Sequence, residues 1–340
     1  MVKNKKIFVL ISAYNVGRLI QNTFDSLIKQ TYPYWECYCM NDGSTDNTYD
    51  VMQKYAASDK RIHVFTQDNA GLTHTNNRLL NMLKDDETDY IYFLDSDDYL
   101  HPQTFEMAVK IQENTQVDVV ECTPIRVGDE KPDSYFEKFD VSKLPVQILT
   151  DMDAFLLKRT RRDLPGTWIN KCKLYVWEKI KSVRFDENLS YEDDYFYNSI
   201  VHTLIDKKAV ILQPFYYWRI NPDSMTRSVD WQRYQKACTA RIYASYDYFI
   251  RQKHLPENLT MEFKADLTAD AFRMVGRKPV RKCKEPVLRR QLFEQACRIF
   301  SDMRTEDVID TSLVGFSQRL IFWSFRCHLY HLTRFLLLFK

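Results

Sequence analysis

Apolar residues run without helical spacing from Ile7 to Tyr14, then recur at helical spacing from Val16 to Lys29, with Leu19, Ile20, Phe24, Leu27 and Ile28 on one face. The reading is a strand followed by an amphipathic helix. The alternation returns along the next hundred residues. Strands are predicted over 35–40, 62–66, 90–94 and 117–121, and helices over 46–57, 72–83 and 102–114. Strands separated by helices of this length predict crossover units. The expected fold is therefore α/β, a Rossmann-like, mainly parallel sheet with helices on both faces. In such sheets ligands bind beyond the carboxyl ends of the strands, so the polar loops on that edge are the place to look for chemistry.

Farther along, residues 129–144 are polar and read as a variable insertion. Residues 151–162 look helical and end in Lys158-Arg159-Thr160-Arg161-Arg162. A strand is expected over 209–220, and the chain is helical in pattern after Trp231. This places a sheet domain over 1–230 and a helical region over 231–340. With 48 basic and 46 acidic side chains the chain lacks the basic excess of a dedicated nucleic-acid binder. The balance is uneven, however: residues 271–340 carry 14 basic and 6 acidic side chains, leaving 34 and 40 for the rest. A mildly acidic body thus precedes a basic tail. The eight cysteines show no C-x-x-C or zinc-type spacing and read as reduced core thiols of a cytosolic protein. The basic start followed by Ile7 to Leu10 imitates a leader peptide, but Ser12, Tyr14, Asn15 and Arg18 interrupt it, which favours a buried strand. No stretch is apolar for long enough to span a membrane.

Four loops follow the predicted strands on one edge: Ala13-Tyr14-Asn15, Asn41-Asp42-Gly43-Ser44, Asp68-Asn69-Ala70-Gly71 and Asp95-Ser96-Asp97-Asp98. Asp95 and Asp97 can reach toward one hard cation, Mg²⁺ or Mn²⁺, whose other ligands are phosphate and water oxygens. The bland alternative is a turn leading to a helix cap at Asp98. Asp42 is suited to accept hydrogen bonds from a base or ribose, or to close an Asx turn. Glu192-Asp193-Asp194 opens an amphipathic helix, where acids are favoured by the helix dipole and Ser190 with Asp193 resembles a capping box. A carboxylate held there can also act as a general base.

Taken together, Ile7 to Asn15, Gln30-Thr31-Tyr32-Pro33, Asn41 to Asp46, Asn69-Ala70-Gly71-Leu72, Leu94 to Asp98 and Glu192-Asp193 resemble glycosyltransferase family 2 in order and spacing. The resemblance covers roughly residues 5–228. It implies a GT-A fold, a nucleotide-sugar donor, a divalent cation and inversion at the anomeric carbon. It further casts Ala13, Tyr14, Asn15, Asp42, Asn69, Gly71, Asn77, Asp95, Ser96 and Arg219 as donor-side residues, Asp97 with Asp95 as metal ligands and Asp193 as the base. Trp168, Lys171 and Glu192 fall on the acceptor side. One departure concerns the phosphate-side arginine of the family: the aligned positions are Asn76 and Asn77, and Arg78 is displaced by two residues.

The tail carries a second signal. Residues 313–339 read as one apolar helix on which Arg319, Arg326 and Arg334 form a basic stripe, a pattern suited to an anionic membrane surface. Packing of that helix on the protein or in an oligomer is the alternative. The sequence thus predicts an inverting, metal-dependent transferase that moves one sugar from a UDP-sugar to a glycan or lipid-linked glycan. It would act in bacterial cell-surface polysaccharide synthesis, such as capsule or lipopolysaccharide assembly, peripherally on the cytoplasmic face of the membrane. Two other readings stay open: a sugar-phosphate nucleotidyltransferase, and a non-catalytic nucleotide-sugar or glycan-binding subunit of a membrane assembly.

Overall fold

A computed structural model describes residues 5–128, 130–135, 137–151, 169–189, 193–221, 230–253 and 255–338. The chain divides into two compact units. The first comprises Met1–Phe155, Asp163–Glu187 and Tyr197–Pro222, and the second Leu156–Arg162, Asn188–Phe196 and Asp223–Lys340. The helix expected over 151–162, with its basic run, lies outside the described residues apart from Asp151.

The first unit holds one mixed sheet. Its strands are β1 (Ile7–Ala13), β2 (Trp35–Asp42), β3 (Ile62–Gln67), β4 (Tyr90–Phe93), β5 (Tyr99–Leu100), β6 (Val119–Val127), β7 (Val146–Leu149), β8 (Lys173–Val176) and β9 (Lys208–Arg219). The order across the sheet is β3-β2-β1-β4-β8-β6-β9-β5, and β7 pairs with β9. Helices α1 (Ile20–Ile28), α2 (Thr48–Ser58), α3 (Leu72–Asn81) and α4 (Thr104–Thr115) connect the early strands as the alternating pattern predicts. A short helix, α5 (Trp177–Ile180), follows β8, and α6 (Asp193–His202) precedes β9.

Strand β1 shows why both sheet faces must be apolar. Ile7, Val9 and Ile11 enter one core with Phe24 and Leu27 of α1, Met52 of α2 and Phe105 of α4. Phe8 and Leu10 enter the other, with Leu79 and Leu80 of α3 and Tyr197 and Val201 of α6. A strand covered on both faces reads as a continuous apolar run rather than an alternating one. Strands β1, β2, β3 and β4 run parallel, which brings Ala13, Asp42, Gln67 and Phe93 to one edge.

The sheet departs from simple alternation at β8, which inserts between β4 and β6 and runs antiparallel to both. It begins at the carboxyl edge, where Lys171 bridges Phe93, and runs back toward the opposite edge. Strand β9 is parallel to β6, so its end at Arg219 returns to the same edge as Asp42 and Phe93.

The second unit is helical beyond residue 230: α7 (Trp231–Tyr246), α8 (Glu257–Asp270), α9 (Lys278–Lys282), α10 (Pro286–Thr305), α11 (Phe316–Arg326) and α12 (Tyr330–Leu338). Asp230 caps α7 by accepting from the backbone N–H groups of Gln232 and Arg233. A buried Arg241–Asp270 ion pair at 2.6 Å lies inside this unit, with the guanidinium 4.7 Å from the Tyr195 ring centroid. Phe293, Phe300, Phe322 and Phe325 form an aromatic cluster with centroids about 5 Å apart. A Cβ on Gly276 would come within 2.8 Å of Phe300, so this close approach requires glycine.

Two expectations are corrected here. The tail is not one helix over 313–339: it breaks after Arg326, where His328 takes a left-handed φ of 54°, and α12 begins at Tyr330. The turn lets Thr333 donate to Ser324 Oγ at 2.8 Å while Phe325 stays in the aromatic cluster. The spacing that aligned Arg334 with Arg319 and Arg326 on a single helix therefore does not apply. The second correction concerns the thiols: all eight are free, and seven are buried, but Cys327 is exposed in that same turn.

Candidate active site

The edge loops are knitted together before any ligand is considered. Asn15 adopts φ 52° and its side-chain oxygen accepts from the Thr45 amide at 2.8 Å, while its own N–H donates to Ser44 Oγ at 3.0 Å. Val16 and Gly17 donate to Thr48 Oγ1 and Asp46 Oδ2. The loops after β1 and β2 thus brace one another, with Ala13 buried beneath and Tyr14 49% exposed above them.

Asp42 organises the next loop. Its Oδ1 accepts from Gln67 Nε2 at 2.7 Å and the Ala70 amide at 2.8 Å, and its Oδ2 accepts from the Gly71 amide at 2.9 Å. The Asn69 side chain donates to the Asp42 carbonyl at 3.0 Å. Oδ2 accepts one hydrogen bond, so it retains capacity for a base or ribose donor. Gly43 sits at φ 68°, and a Cβ there would fall 2.6 Å from the Asn69 amide nitrogen, so glycine alone fits this contact. Arg78 donates to Gln67 Oε1 at 3.0 Å, one residue removed from Asp42. Asn76 accepts from Ser12 Oγ, and the buried Asn77 is bonded to the backbone of Phe185 and to Glu187, tying α3 to that segment.

The acidic motif leaves β4 in a tight turn, with the Asp98 amide donating to the Asp95 carbonyl. Thr23 of α1 fixes the turn from below, donating to the carbonyls of Ser96 and Asp98. Asp98 is buried: Oδ2 accepts from Tyr216 OH at 2.7 Å and Oδ1 from the Arg219 amide at 2.8 Å. Burial, reinforced by the Asp95 and Asp97 carboxylates, pushes the Asp98 carboxyl well above the usual range, against the opposing bonds from Tyr216 and Arg219. Asp97 is partly exposed and accepts from Asn221 Nδ2 at 3.0 Å. Asp95 is paired with the Lys171 ammonium at 3.4 Å.

Arg219 is 95% buried by the packing of its side chain over the Tyr99 ring, 5% being exposed. Nη1 reaches the Leu19 carbonyl at 3.5 Å, but Nη2 is buried without a hydrogen-bond partner among the described residues. A buried guanidinium N–H left unpaired is costly and points to an absent anionic or carbonyl oxygen.

The carboxylates of Asp95 and Asp97 are hard oxygen donors on one exposed rim, a donor set that fits Mg²⁺ or Mn²⁺. Among the described residues no three His, Cys, Asp or Glu side chains converge to hold a metal alone. A cation here would therefore complete its shell with ligand and water oxygens.

The first unit thus gathers the predicted donor-side and metal residues at the carboxyl edge of the sheet, apart from Asn77, which is turned to Phe185 and Glu187, and it places Lys171 beside Asp95. Asp193 lies in the second unit, in the first turn of α6 beside Asp194. Trp168 and Glu192 lie outside the described residues. Asp98, expected as a helix cap, and Gln67 and Thr23, which the sequence pattern does not single out, hold these loops together, and Tyr216, next to Arg219 in the late aromatic stretch, bonds Asp98. The available signal was a fourth residue, Asp98, continuing the acidic run directly into the buried pair Tyr99-Leu100.

Comparison with known proteins bears on the family and the fold. Residues 8–175 match the model of glycosyl transferase family 2. Glycosyltransferase GlyA of Streptococcus pneumoniae serotype 4 is 30% identical over 238 residues, covering 67% of this chain. The match spans only 32% of GlyA's own length. Among solved structures, S. aureus TarS 1–349 in complex with UDP-GlcNAc superposes with a TM-score of 0.68 at 18% identity, covering 97% of this chain and 90% of that one. A mannosyltransferase from Pyrobaculum calidifontis, in complex with GDP-Man and Mn²⁺, gives a TM-score of 0.50 at 14% identity over 99% and 86% of the two chains. These two likenesses establish the GT-A fold.

Proposed function

This chain belongs to glycosyl transferase family 2, and from that premise we propose that it transfers one sugar from a UDP-sugar, with inversion, to a hydroxyl of a glycan or lipid-linked glycan. The observation that carries the reading is the Nη2 of buried Arg219, without a hydrogen-bond partner among the described residues, on a residue whose amide is bonded to Asp98 of the acidic motif. A diphosphate oxygen is the partner that this geometry asks for. The UDP-GlcNAc bound to TarS supports uridine as the nucleoside.

In this mechanism Asp42 Oδ2, Tyr14 and the Asn69-to-Gly71 loop receive the nucleoside, and Arg219 donates to the diphosphate. Asp97 and Asp95 would hold a divalent cation, which when bound neutralises the charge developing on the leaving group. Asp193 accepts the proton of the acceptor hydroxyl as its oxygen attacks the anomeric carbon. One C–O bond forms, the bond to the diphosphate breaks, and UDP departs. The test is a panel of UDP-sugars assayed for UDP release with Mn²⁺ or Mg²⁺ and then with excess chelator. One sugar should stand out, and chelator should abolish its turnover. Turnover of a nucleoside triphosphate with a sugar phosphate instead would overturn the reading.

The setting proposed is cell-surface polysaccharide assembly on the cytoplasmic face of the membrane, with docking through the second unit. No helix among the described residues is long and apolar enough to cross a membrane. On α11, Ile321, Phe322 and Phe325 are buried, whereas Phe316, Leu320 and Trp323 are exposed at 82%, 37% and 48%. At about 100° per residue these three and Arg319 and Arg326 share an arc of roughly 120°, an apolar and basic face suited to an anionic bilayer. Arg304, Arg319 and Arg326 also line a cavity of about 340 Å³ with Trp323. Because Phe322 and Phe325 sit in the aromatic cluster, deleting the tail would damage the fold, so point substitutions are the right probe. Phe316→Ser with Trp323→Ser should abolish flotation with phosphatidylglycerol liposomes and leave the melting temperature near that of the parent. Raised salt should weaken the parent's binding, since each basic residue contributes about 1 kcal/mol of screened attraction. Unchanged flotation of the double variant would remove this face from the account.

A further inference from the structure

Lys171 is held in place by its neighbours on both sides. Its backbone bridges Phe93 at the end of β4. Tyr175 OH donates to the carbonyl of buried Asn170 at 3.1 Å, the Cys122 amide donates to the Cys172 carbonyl at 2.9 Å, and the Lys173 ammonium donates to the Ile169 carbonyl. Cys172 itself is buried at φ 64°, a left-handed conformation that a non-glycine residue keeps only when its surroundings enforce it. The side chain of Lys171 is 11% exposed and delivers its ammonium to Asp95 Oδ1, whereas Asp95 is 38% exposed.

This pairing has a chemical consequence. The motif places three carboxylates, Asp95, Asp97 and Asp98, within four residues, and such a group repels itself unless positive charge is supplied. Arg219 meets Asp98 through its amide rather than its guanidinium. Among the described residues, Lys171 brings an ammonium to the motif, 3.4 Å from Asp95 Oδ1. A divalent cation shared by Asp95 and Asp97 would meet this ammonium already on Asp95, and would be repelled by it.

We propose that Lys171 is a positioning residue, an internal counter-ion of the motif, with which a divalent cation competes for Asp95 until an arriving diphosphate takes the ammonium over. Cation and donor then bind cooperatively, because the donor relieves the competition that weakens the cation. A lysine suits this role, since its compact charge rides on a flexible four-carbon stem while the backbone stays fixed.

The inference rests on the cation site proposed above, and the experiment separates the two. Free Mn²⁺ is measured by electron paramagnetic resonance during titration of the full chain, with and without UDP, for the parent, Lys171→Met, Lys171→Arg and Asp97→Asn. Without UDP, Lys171→Met should bind Mn²⁺ about fivefold more tightly than the parent, the scale of a partly exposed ion pair. Lys171→Arg, which keeps the charge, should stay near the parent, and the tightening of Mn²⁺ by UDP should shrink in Lys171→Met. Should the methionine variant fail to fold, Lys171→Gln makes the same test. Equal or weaker Mn²⁺ binding by the neutral variants, with Asp97→Asn abolishing it, overturns the role of Lys171 and keeps the cation site. Binding that survives Asp97→Asn, or is absent from the parent even with UDP, overturns both.

Discussion

Asp97→Asn is expected to lower sugar transfer by at least roughly a hundredfold, the scale of removing one preorganised electrostatic group from a reacting centre. The fold should be indifferent to the change. Asp97 is partly exposed and accepts from the side-chain amide of Asn221 at 3.0 Å, and an asparagine oxygen can still accept that bond. The ligand-free protein should even gain a little, since the variant removes one of three mutually repelling carboxylates. The measurement that discriminates is a melting curve with and without Mn²⁺ beside the rate. In the parent, the cation with UDP should raise the melting temperature by mass action. In Asp97→Asn that rise should vanish while the ligand-free melting temperature stays at or slightly above the parent's. A variant with parental turnover, or parental turnover in chelator, would end the assignment of Asp97.

The second large effect is expected at Asp193. Asparagine preserves its size and its place in the first turn of α6, so folding should be little disturbed. It cannot accept a proton, and loss of a general base costs on the order of 10² to 10⁴ in rate. The loss should appear in kcat, with UDP-sugar affinity by calorimetry unchanged, because an interaction made only in the transition state leaves ground-state binding alone. Parental turnover by Asp193→Asn, with Glu192→Gln inactive, would move the base one residue back.

Much of the first unit was legible because two periods compete openly along it. The apolar run from Ile7 to Ala13 and the spaced Ile20, Phe24 and Leu27 cannot be mistaken for one another, and the next three strand-helix pairs repeat the contrast. Strand β8 was not legible as a strand between β4 and β6: Lys-Leu-Tyr-Val is four residues long, and its buried lysine is accompanied by Glu121 at 3.7 Å and by the Ile169 carbonyl. The break in the tail was hidden for the opposite reason. Apolar residues continue straight through Cys327-His328-Leu329, and only the packing of Phe325 and the Ser324–Thr333 bond demand a turn there. At the edge loops, residue types announced chemistry but not partnership. Nothing in the spacing said that Asp42 would accept from two backbone amides and a glutamine, or that Lys171, beyond the insertion, would return to Asp95.

The late arrival of β8 also bears on how the chain is made. Strand β4 is buried along its whole length and pairs with β1 on one side, a partner already synthesised. Its other side waits for Leu174 to Val176, which emerge from the ribosome only after residues 94–173 have been made. During that interval the nascent chain presents an apolar, unpaired strand edge, the feature most prone to join a wrong partner. Closing so long an interval makes this pairing, like that of β1 with β4, slow relative to the shorter β1–β2 and β2–β3 crossovers. The step that closes the open side of β4 is also the one that anchors the backbone around Lys171, so a chain that stalls before it would lack both.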